Sequence, residues 1–344
     1  MNYPKVSIIL LNCNGWRDTI ECLESLYKIT YPNYDVIVVD NGSEDDSIEK
    51  IKKWAEDKIK IESRFFKYNL KGKPIRYVEY TREEVEAGGG KEGEAANLPS
   101  NKLIIIKNEK NYGFSEGNNI AIRYALKKGT DYALLLNNDT VVDSEFLTEL
   151  VKVAENDPQI GIVGPKIYNY DEINKIVFAG RKINFWRGKS YNIGINETDN
   201  GQHDKIKEVD YIEGSCFLIK KEAIEKVGMI DSEYFVYWGD TDWCIRAHKV
   251  GLKVVYVPEA EIWHKESSTM GGPLKVYYFN RNRFLFMKKH ATQMQIFSFL
   301  ISFFIIELWF RIGVFLLYYK NPKVLIPFFR GIKDGISLIS KKER

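Results

Sequence analysis

The chain has 344 residues, a formal net charge of +3, and 44% hydrophobic and 28% charged residues. That length holds one large α/β domain, or one domain with an appendage, and the composition excludes both a disordered chain and one wholly embedded in a membrane. A charge so near zero, with four His residues that lack metal-finger spacing, argues against nucleic acid as a partner.

Residues 6–11 (VSIILL) and 36–39 (VIVV) are continuous β-branched and apolar runs, the pattern of strands buried on both faces of a parallel sheet. Between them, residues 16–29 predict a helix with Ile20, Leu23, Leu26 and Tyr27 on one stripe, which makes a βαβ unit with a right-handed crossover. The turn Asp40-Asn41-Gly42-Ser43 leads into a helix over 45–54, capped by Ser43 or a neighbouring Asp. Residues 60–102 break the rhythm with a glycine-rich, charged stretch at 88–94 and read as a surface insertion with a mobile tip. Alternation resumes with a strand at 103–106, a helix at 116–126, a strand at 132–136 and a helix at 144–154. From 161 to 220 short strands such as 176–179 and 216–219 suggest a mixed half of the sheet; helices at 222–227 and 240–250 and a strand at 254–257 closed by Pro258 follow.

Residues 296–319 are nearly unbroken apolar and aromatic residues, long enough to cross a bilayer core. Glu307 and Arg311 interrupt them at i,i+4 spacing, where the two charges can pair on one face. Basic residues flank both sides, Lys288 and Lys289 before, Lys320, Lys323, Arg330 and Lys333 after. The expectation is membrane association, favouring a re-entrant or hairpin insertion over a single crossing, against the alternative of a helix buried in the protein or in a dimer. The oligomeric state stays open. Cys13, Cys22, Cys216 and Cys244 form no C-x-x-C pair. Cys13, Cys216 and Cys244 lie in or beside apolar patterns, as buried free thiols do, which fits a reducing compartment. With no secretory leader pattern at the start of the sequence, the expected location is the cytoplasmic face of a membrane.

Ligands of such sheets bind beyond the carboxyl ends of the strands, where this sequence has four polar clusters: 12–16 (NCNGW), 40–43 (DNGS), 111–115 (NYGFS) and 137–140 (NNDT). The first lacks G-x-G-x-x-G and G-K-[ST], so no glycine-cradled helix end is shaped for phosphate. Asp139, in a polar turn after a strand, is a hard oxygen ligand suited to Mg²⁺ or Mn²⁺ shared with substrate phosphates. Asp40 is placed to accept hydrogen bonds from a base or ribose. Taken singly, each is also compatible with a turn or cap role. Asp240 and Asp242 stand two apart at a helix start, where one can cap the helix and the other serve as a base. His264 follows the last strand and is a candidate metal ligand.

Eight segments together resemble the family 2 glycosyltransferases, in particular the rhamnosyltransferase-like group: VSIILLNCNG, VIVVDNGSEDDS, NYGFSEGNNIAI, YALLLNNDTVVD, YIEGSCFLIK, YFVYWGDTDWCIRAHKVG, IWHKES and YYFNRNRFLFMKKH. They occur in family order across most of residues 5–290. The resemblance implies a GT-A fold, a nucleotide-binding α/β half joined to an acceptor-binding half over 1–290; the hydrophobic and basic composition of 291–344 is read as membrane-associating helices that follow it. It places Asp40 and Asn14 at the nucleobase, Asn137, Asn138 and Asp139 on the D-x-D motif, Asp240 as catalytic base and His264 towards the metal or diphosphate. Asn111, Gly113 and Asn118 fall on the nucleotide-sugar side; Gly214, Ser215, Asp242 and Arg246 fall on the sugar and acceptor side. Three positions depart from the pattern: Cys13 stands where many members have a base-stacking Tyr, Asn137 replaces the first Asp of D-x-D, and Gly239 replaces a frequent Glu. The implied activity is inverting, metal-dependent transfer of a sugar from a nucleotide-diphosphate-sugar to a hydroxyl of a glycan or lipid-linked acceptor, in surface glycan or polysaccharide synthesis. A non-catalytic membrane scaffold or glycan-binding protein is the alternative.

Overall fold

The computed structural model describes residues 3–68, 72–90, 102–265, 272–318 and 320–340. The first half alternates as expected: β1 (Val6–Asn12), α1 (Trp16–Leu26), β2 (Tyr34–Asn41), α2 (Ser47–Ala55), β3 (Tyr77–Thr81), α3 (Arg82–Glu86), β4 (Leu103–Asn108), α4 (Gly113–Lys127) and β5 (Tyr132–Asn137). The second half carries β6 (Thr140–Val142), α5 (Phe146–Asn156), β7 (Ile160–Asn169), β8 (Ile176–Phe178), β9 (Arg181–Asn184), β10 (Lys189–Asn192), β11 (Lys207–Glu208), β12 (Cys216–Lys220), α6 (Lys221–Val227), α7 (Gly239–Lys249) and β13 (Lys253–His264). Three helices end the chain: α8 (Pro273–His290), α9 (Gln293–Tyr318) and α10 (Leu325–Ser340).

One sheet runs through the molecule in the order β11-β13-β7-β12-β5-β1-β2-β4-β3. β1 pairs in parallel with both β2 and β5, and their side chains are buried along almost the whole length, which is why these segments read as unbroken apolar runs. β12 runs antiparallel to β5 and β7, so the sheet is parallel around β1, β2 and β4 and mixed beyond β5. Register decides where the chemistry collects. Asn12 is level with Asp40, and Leu11 with Asn137. Cys216, at the start of β12, is level with Leu136, which brings Gly214 and Ser215 to the same end of the sheet. The β6–β13 pairing sets His264 opposite Thr140.

Two expectations change at the sheet edges. Within 60–102, Tyr77–Thr81 is no surface loop; it pairs in parallel with β4 as the edge strand, and alternate inward residues Val78 and Tyr80 are buried. The tip at 91–101 lies outside the described residues. Pro258 does not close the last strand: β13 continues to His264, with a bulge between Val257 and Glu261 where the pairing with β7 skips, the kind of site that tolerates a residue lacking an N–H.

A second hydrophobic core joins the C-terminal helices to the middle of the chain. Phe284, Phe286 and Met287 of α8, Phe299 and Phe303 of α9, and Phe328 and Ile332 of α10 pack with Tyr234 and Trp238, which lie just before α7. α10 comes close to α8 because Gly331 and Gly335 face it; a Cβ on Gly331 would stand 2.5 Å from the Tyr277 carbonyl oxygen. The helices after residue 290 are thus packed on the segment that leads into Asp240.

Candidate active site

At the head of β1 and β2, Asp40 is buried and tied to its own turn. Its Oδ1 accepts from Asn12 Nδ2 (2.7 Å) and Ser43 Oγ (2.6 Å), and its Oδ2 accepts from the Ser43 amide (3.1 Å). Ser43 therefore serves Asp40, not the cap of α2, where Asp45 Oδ1 accepts from the Ser47 amide instead. Oδ2 keeps room for another donor, such as a base N–H. Asn14 is exposed at φ 54° and binds the next turn through Oδ1, which accepts from the amides of Glu44 (2.8 Å) and Asp45 (3.3 Å). A cleft of about 480 Å³ opens here, with Asp40, Ser43, Asp45, Lys107 and Asn111 in its lining. Cys13, expected to be buried, is exposed beside it and accepts from Asn111 Nδ2 at 3.6 Å, because the chain turns outward immediately after Asn12.

Asn111 Oδ1 also accepts from Asn41 Nδ2 and from the Gly113 amide. Gly113 has φ +78°, and a Cβ there would meet the Phe235 carbonyl oxygen at 2.3 Å, so this glycine lets α4 press against the segment before α7. Asn118 is buried inside α4, its Nδ2 donating to the Phe114 carbonyl one turn back. The contact across to 230–235 is made instead by Asn119, which exchanges hydrogen bonds with the backbone of Ile230, and by Ser115, whose hydroxyl donates to the Tyr234 carbonyl.

From β5 the side chains form a continuous row. Asn138 Nδ2 donates to Thr19 Oγ1 (2.9 Å), and Thr19 Oγ1 donates to Asn12 Oδ1 (2.9 Å), which links this turn to Asp40 through Asn12. Asp139 Oδ1 lies 3.1 Å from His264 Nε2, and Asn137 Nδ2 lies 3.4 Å from the same ring nitrogen. The Asn137 amide donates to the Ser215 carbonyl (2.9 Å), and the Gly214 amide donates to Asp240 Oδ2 (2.8 Å). Asp40, Asn138, Asp139, His264, Asn137, Ser215, Gly214 and Asp240 thus fall on one connected line along the sheet's carboxyl ends. A buried carboxylate beside an imidazole is a donor set suited to a divalent ion that completes its shell with phosphate oxygens; Asp139 and His264 fit that use. Ser215, also buried, has a hydroxyl with no hydrogen-bond partner among the described residues.

Asp240 sits in the first turn of α7, partly exposed, with Oδ1 accepting the Thr241 amide (2.7 Å) and Oδ2 the Gly214 amide. Burial pushes its carboxyl pKa up; the two amides and the charge of Arg181 draw it part of the way back. Arg181 is held by Tyr211 (2.9 Å) and Glu213 (2.5 Å). It was missed in the sequence because a lone Arg on a short strand carries no local signal.

The turn before Asp240 is strained: Tyr237 and Trp238 are both left-handed, at φ 63° and 72°, each costing about 1–3 kcal/mol. Asn282 of α8, fully buried, holds it by donating to the carbonyls of Val236 (2.7 Å) and Tyr237 (3.1 Å), while Trp238 Nε1 donates to the Phe279 carbonyl. Asp242 and Arg246, expected on the acceptor side, do not join the line. Asp242 is buried between Arg246 Nε (2.7 Å) and His290 Nε2 (2.7 Å), and Arg246 also donates to the carbonyls of Val227 and Met229. Two residues beyond Asp240, just over half a helical turn, the side chain faces a different neighbour, so this pair fixes α7 to α8. Neither Asp caps the helix through its N-cap position, which Trp238 fills.

A parallel α/β sheet with this carboxylate-lined end defines a nucleotide-diphospho-sugar transferase fold, and sequence comparison agrees. Residues 92–285 match the family described as "Glycosyltransferase like family 2" and residues 7–77 match "Glycosyl transferase family 2"; the chain belongs to the family 2 glycosyltransferases. It is similar to the dTDP-rhamnosyl transferase RfbF of Shigella flexneri, 30% identical over 199 residues, 55% of this chain and 64% of that protein. It is also similar to the low-salt glycan biosynthesis hexosyltransferase Agl10 of Haloferax volcanii, at 26% identity over 53% of this chain and 59% of that one. The chain therefore spans less than two-thirds of the length of these relatives. Its fold matches the mannosyltransferase PcManGT from Pyrobaculum calidifontis in complex with GDP-Man and Mn²⁺, with a TM-score of 0.56 and 12% identity over 100% of this chain and 89% of that one.

Proposed function

We propose that the chain transfers a sugar, with inversion, from a nucleotide-diphosphate-sugar to a hydroxyl of a glycan acceptor at the cytoplasmic face of a membrane. The observation that carries this reading is the unbroken row from Asp40 to Asp240. It runs from a base-sized cleft, past a carboxylate and imidazole, to a second carboxylate whose pKa is raised. Asp240 takes the proton of the acceptor hydroxyl, whose oxygen forms a bond to the anomeric carbon as the bond to the diphosphate breaks and its electron pair leaves with the diphosphate. A carboxylate raised towards neutrality is the better base for that proton. Asp139 and His264 would hold Mg²⁺ or Mn²⁺, which supplies positive charge to the diphosphate. Gly214 and Ser215 lie between the two carboxylates, where the donor sugar and acceptor oxygen meet. Asp40, with Asn14 and Asn111 around the cleft, binds the base. The complex of PcManGT with GDP-Man and Mn²⁺ and the rhamnosyl and hexosyl donors in the relatives' names support the donor class.

Membrane association rests on α9. Phe297, Ile305, Ile306, Trp309 and Leu317 are at least 66% exposed, while Glu307, near the middle of the helix, is buried against Arg283. A helix pinned to the protein at its midpoint lies along the bilayer surface with its outer face in the apolar layer, because crossing would draw α8 to the bilayer centre. The direct test is a screen of UDP-, GDP- and dTDP-sugars for Mn²⁺- or Mg²⁺-dependent transfer or hydrolysis, with thermal stabilisation by each nucleotide measured in parallel. A chain that responds to none of them, with or without metal, is not this enzyme and is better read as a scaffold.

A further inference from the structure

Asp240 is not held by its own helix alone. The Gly214 amide reaches its Oδ2 at 2.8 Å, and a Cβ on Gly214 would stand 3.2 Å from that oxygen, so the backbone around Gly214 sets where the carboxylate lies. What fixes that backbone is β9. Arg181 forms an antiparallel bridge with Tyr211, its carbonyl accepts the Asp210 amide (3.1 Å), and the Asp210 carboxylate accepts the Ile183 amide (2.6 Å). The guanidinium closes the contact: Nη1 donates to the Tyr211 hydroxyl (2.9 Å) and Nη2 to Glu213 (2.5 Å), one residue before Gly214. Arg181 and Glu213 are only 20% and 21% exposed, and a pair so placed is screened less than one at the surface. The third nitrogen, Nε, is buried with no hydrogen-bond partner among the described residues, so part of the fork's charge is left to act through space.

The nearby carboxylate on which it acts is Asp240. Burial pushes that carboxyl pKa up, the amides of Gly214 and Thr241 draw it down, and of the two charges Arg181 lowers it and Glu213 raises it. Tyr211 and, four residues along α7, Cys244 are the other titratable groups that sense Asp240. From α4 the ring of Phe114 packs beside Gly214, and Asp242 turns away to His290. We propose that Arg181 is a positioning residue for the transfer: fixed by Tyr211 and Glu213, it seats the Gly214 turn on Asp240 and, together with Glu213, sets the charge around the base. This rests on the transferase reading with Asp240 as base. One ion pair then has two duties with different signatures. As a clip it depends on both partners alike; as a source of charge its two halves act on Asp240 in opposite senses.

The test follows kcat against pH, at saturating donor and acceptor, in the full chain and in Arg181→Gln, Glu213→Gln, Arg181→Lys and the double Gln variant. Losing the cation should move the acid limb to higher pH, and losing the anion should move it to lower pH. Arg181→Lys keeps the charge and should stay nearest to wild type; the double variant should fall between the two single ones. Stabilisation by nucleotide and metal should be unchanged throughout, since Asp40 lies at the other end of the row. Carboxyl ¹³C shifts of labelled aspartate, with Asp240 assigned by its loss in Asp240→Asn, follow the same titration without turnover. Glu213→Gln retains an oxygen for Arg181, so it tests the charge with the clip in place. Limbs that move the same way in both single variants overturn the assignment, as does a limb that stays at the wild-type position while kcat drops. A shift in Arg181→Lys as large as in Arg181→Gln overturns it too. If transfer proceeds and is lost in Asp240→Asn, yet the carboxyl titrates alike in every variant, the role of Arg181 falls alone. If no nucleotide-sugar supports transfer, the transferase reading falls and takes this role with it, even where the carboxyl titration moves as expected.

Discussion

Replacing Asp240 with Asn separates chemistry from folding, because the structure gives each a different sign. Both carboxylate oxygens accept backbone N–H groups, from Thr241 and Gly214. The amide can keep only one of these, and its NH₂ must then face the other N–H, a mismatch worth about 1–3 kcal/mol. Opposing this, partial burial raises the pKa of the wild-type carboxylate. A folded pKa above the unfolded value means that the group's contribution to stability is fully present below the unfolded pKa and lost as pH rises through the folded one. At neutral pH the charged Asp240 is therefore a liability that Asn removes. The two effects oppose, so thermal unfolding near neutrality should move by only a few degrees in either direction. In acid the wild type regains the stability that the variant never had to lose, and the variant should fall behind it there. Turnover behaves differently: loss of a general base lowers kcat by about 10² to 10⁴, with nucleotide affinity nearly unchanged because Asp240 lies at the far end of the row from Asp40. The assays are initial rates, nucleotide titration and unfolding curves at several pH values. Near-normal kcat, or a loss that merely tracks the unfolded fraction, would refute the role of Asp240. The rate should also rise with pH along a limb set above the ordinary carboxylate range, and Asp240→Asn should lack that limb.

Asp139→Ala should weaken Mn²⁺-dependent nucleotide binding by at least about tenfold, read as lost thermal stabilisation by nucleotide with metal; stabilisation equal to wild type would exclude Asp139 as a ligand. Gly113→Ala should destabilise by more than about 2 kcal/mol, since the new Cβ meets the Phe235 carbonyl in a left-handed backbone, and denaturant midpoints would show it. Asn282→Ala should leave the Val236 and Tyr237 carbonyls without their donor, costing about 1–3 kcal/mol and lowering kcat more than donor affinity. Burial works to raise the Asp242 carboxyl, but the His290 hydrogen bond and Arg246 hold it below the usual range. Its contribution to stability is thus present above the unfolded pKa and lost as pH falls through the folded one. Asp242→Asn should be less stable than wild type at neutral pH and should approach it in acid, as acid titrations of unfolding would reveal.

The sequence by itself determined the parallel half of the fold and the turns that carry the site. Runs such as 6–11 and 132–136 are buried on both faces, and a strand so placed has to be apolar throughout, which makes it visible without any neighbour. The polar residues that follow each run then fall at one end of the sheet. Asp40 and Asp139 could therefore be picked out before their contacts were known.

Tertiary structure alone decided which polar groups work together. Asp240 and Asp242 read alike in sequence, yet just over half a helical turn between them aims one at Gly214 and the other at His290, 48 residues away in the chain. The charge of Arg181 acts on Asp240 only because β9 lies beside the segment before β12. Edge strand Tyr77–Thr81, the continuation of β13 past Pro258 and the exposure of Cys13 each depended on a partner or turn that no local pattern encodes. The apolar stretch at 296–319 raised the expectation of a membrane, but only the Arg283–Glu307 pair shows which side of that helix faces the protein. Periodicity records that a residue is buried; it carries no record of the distant charge, amide or ring that meets it.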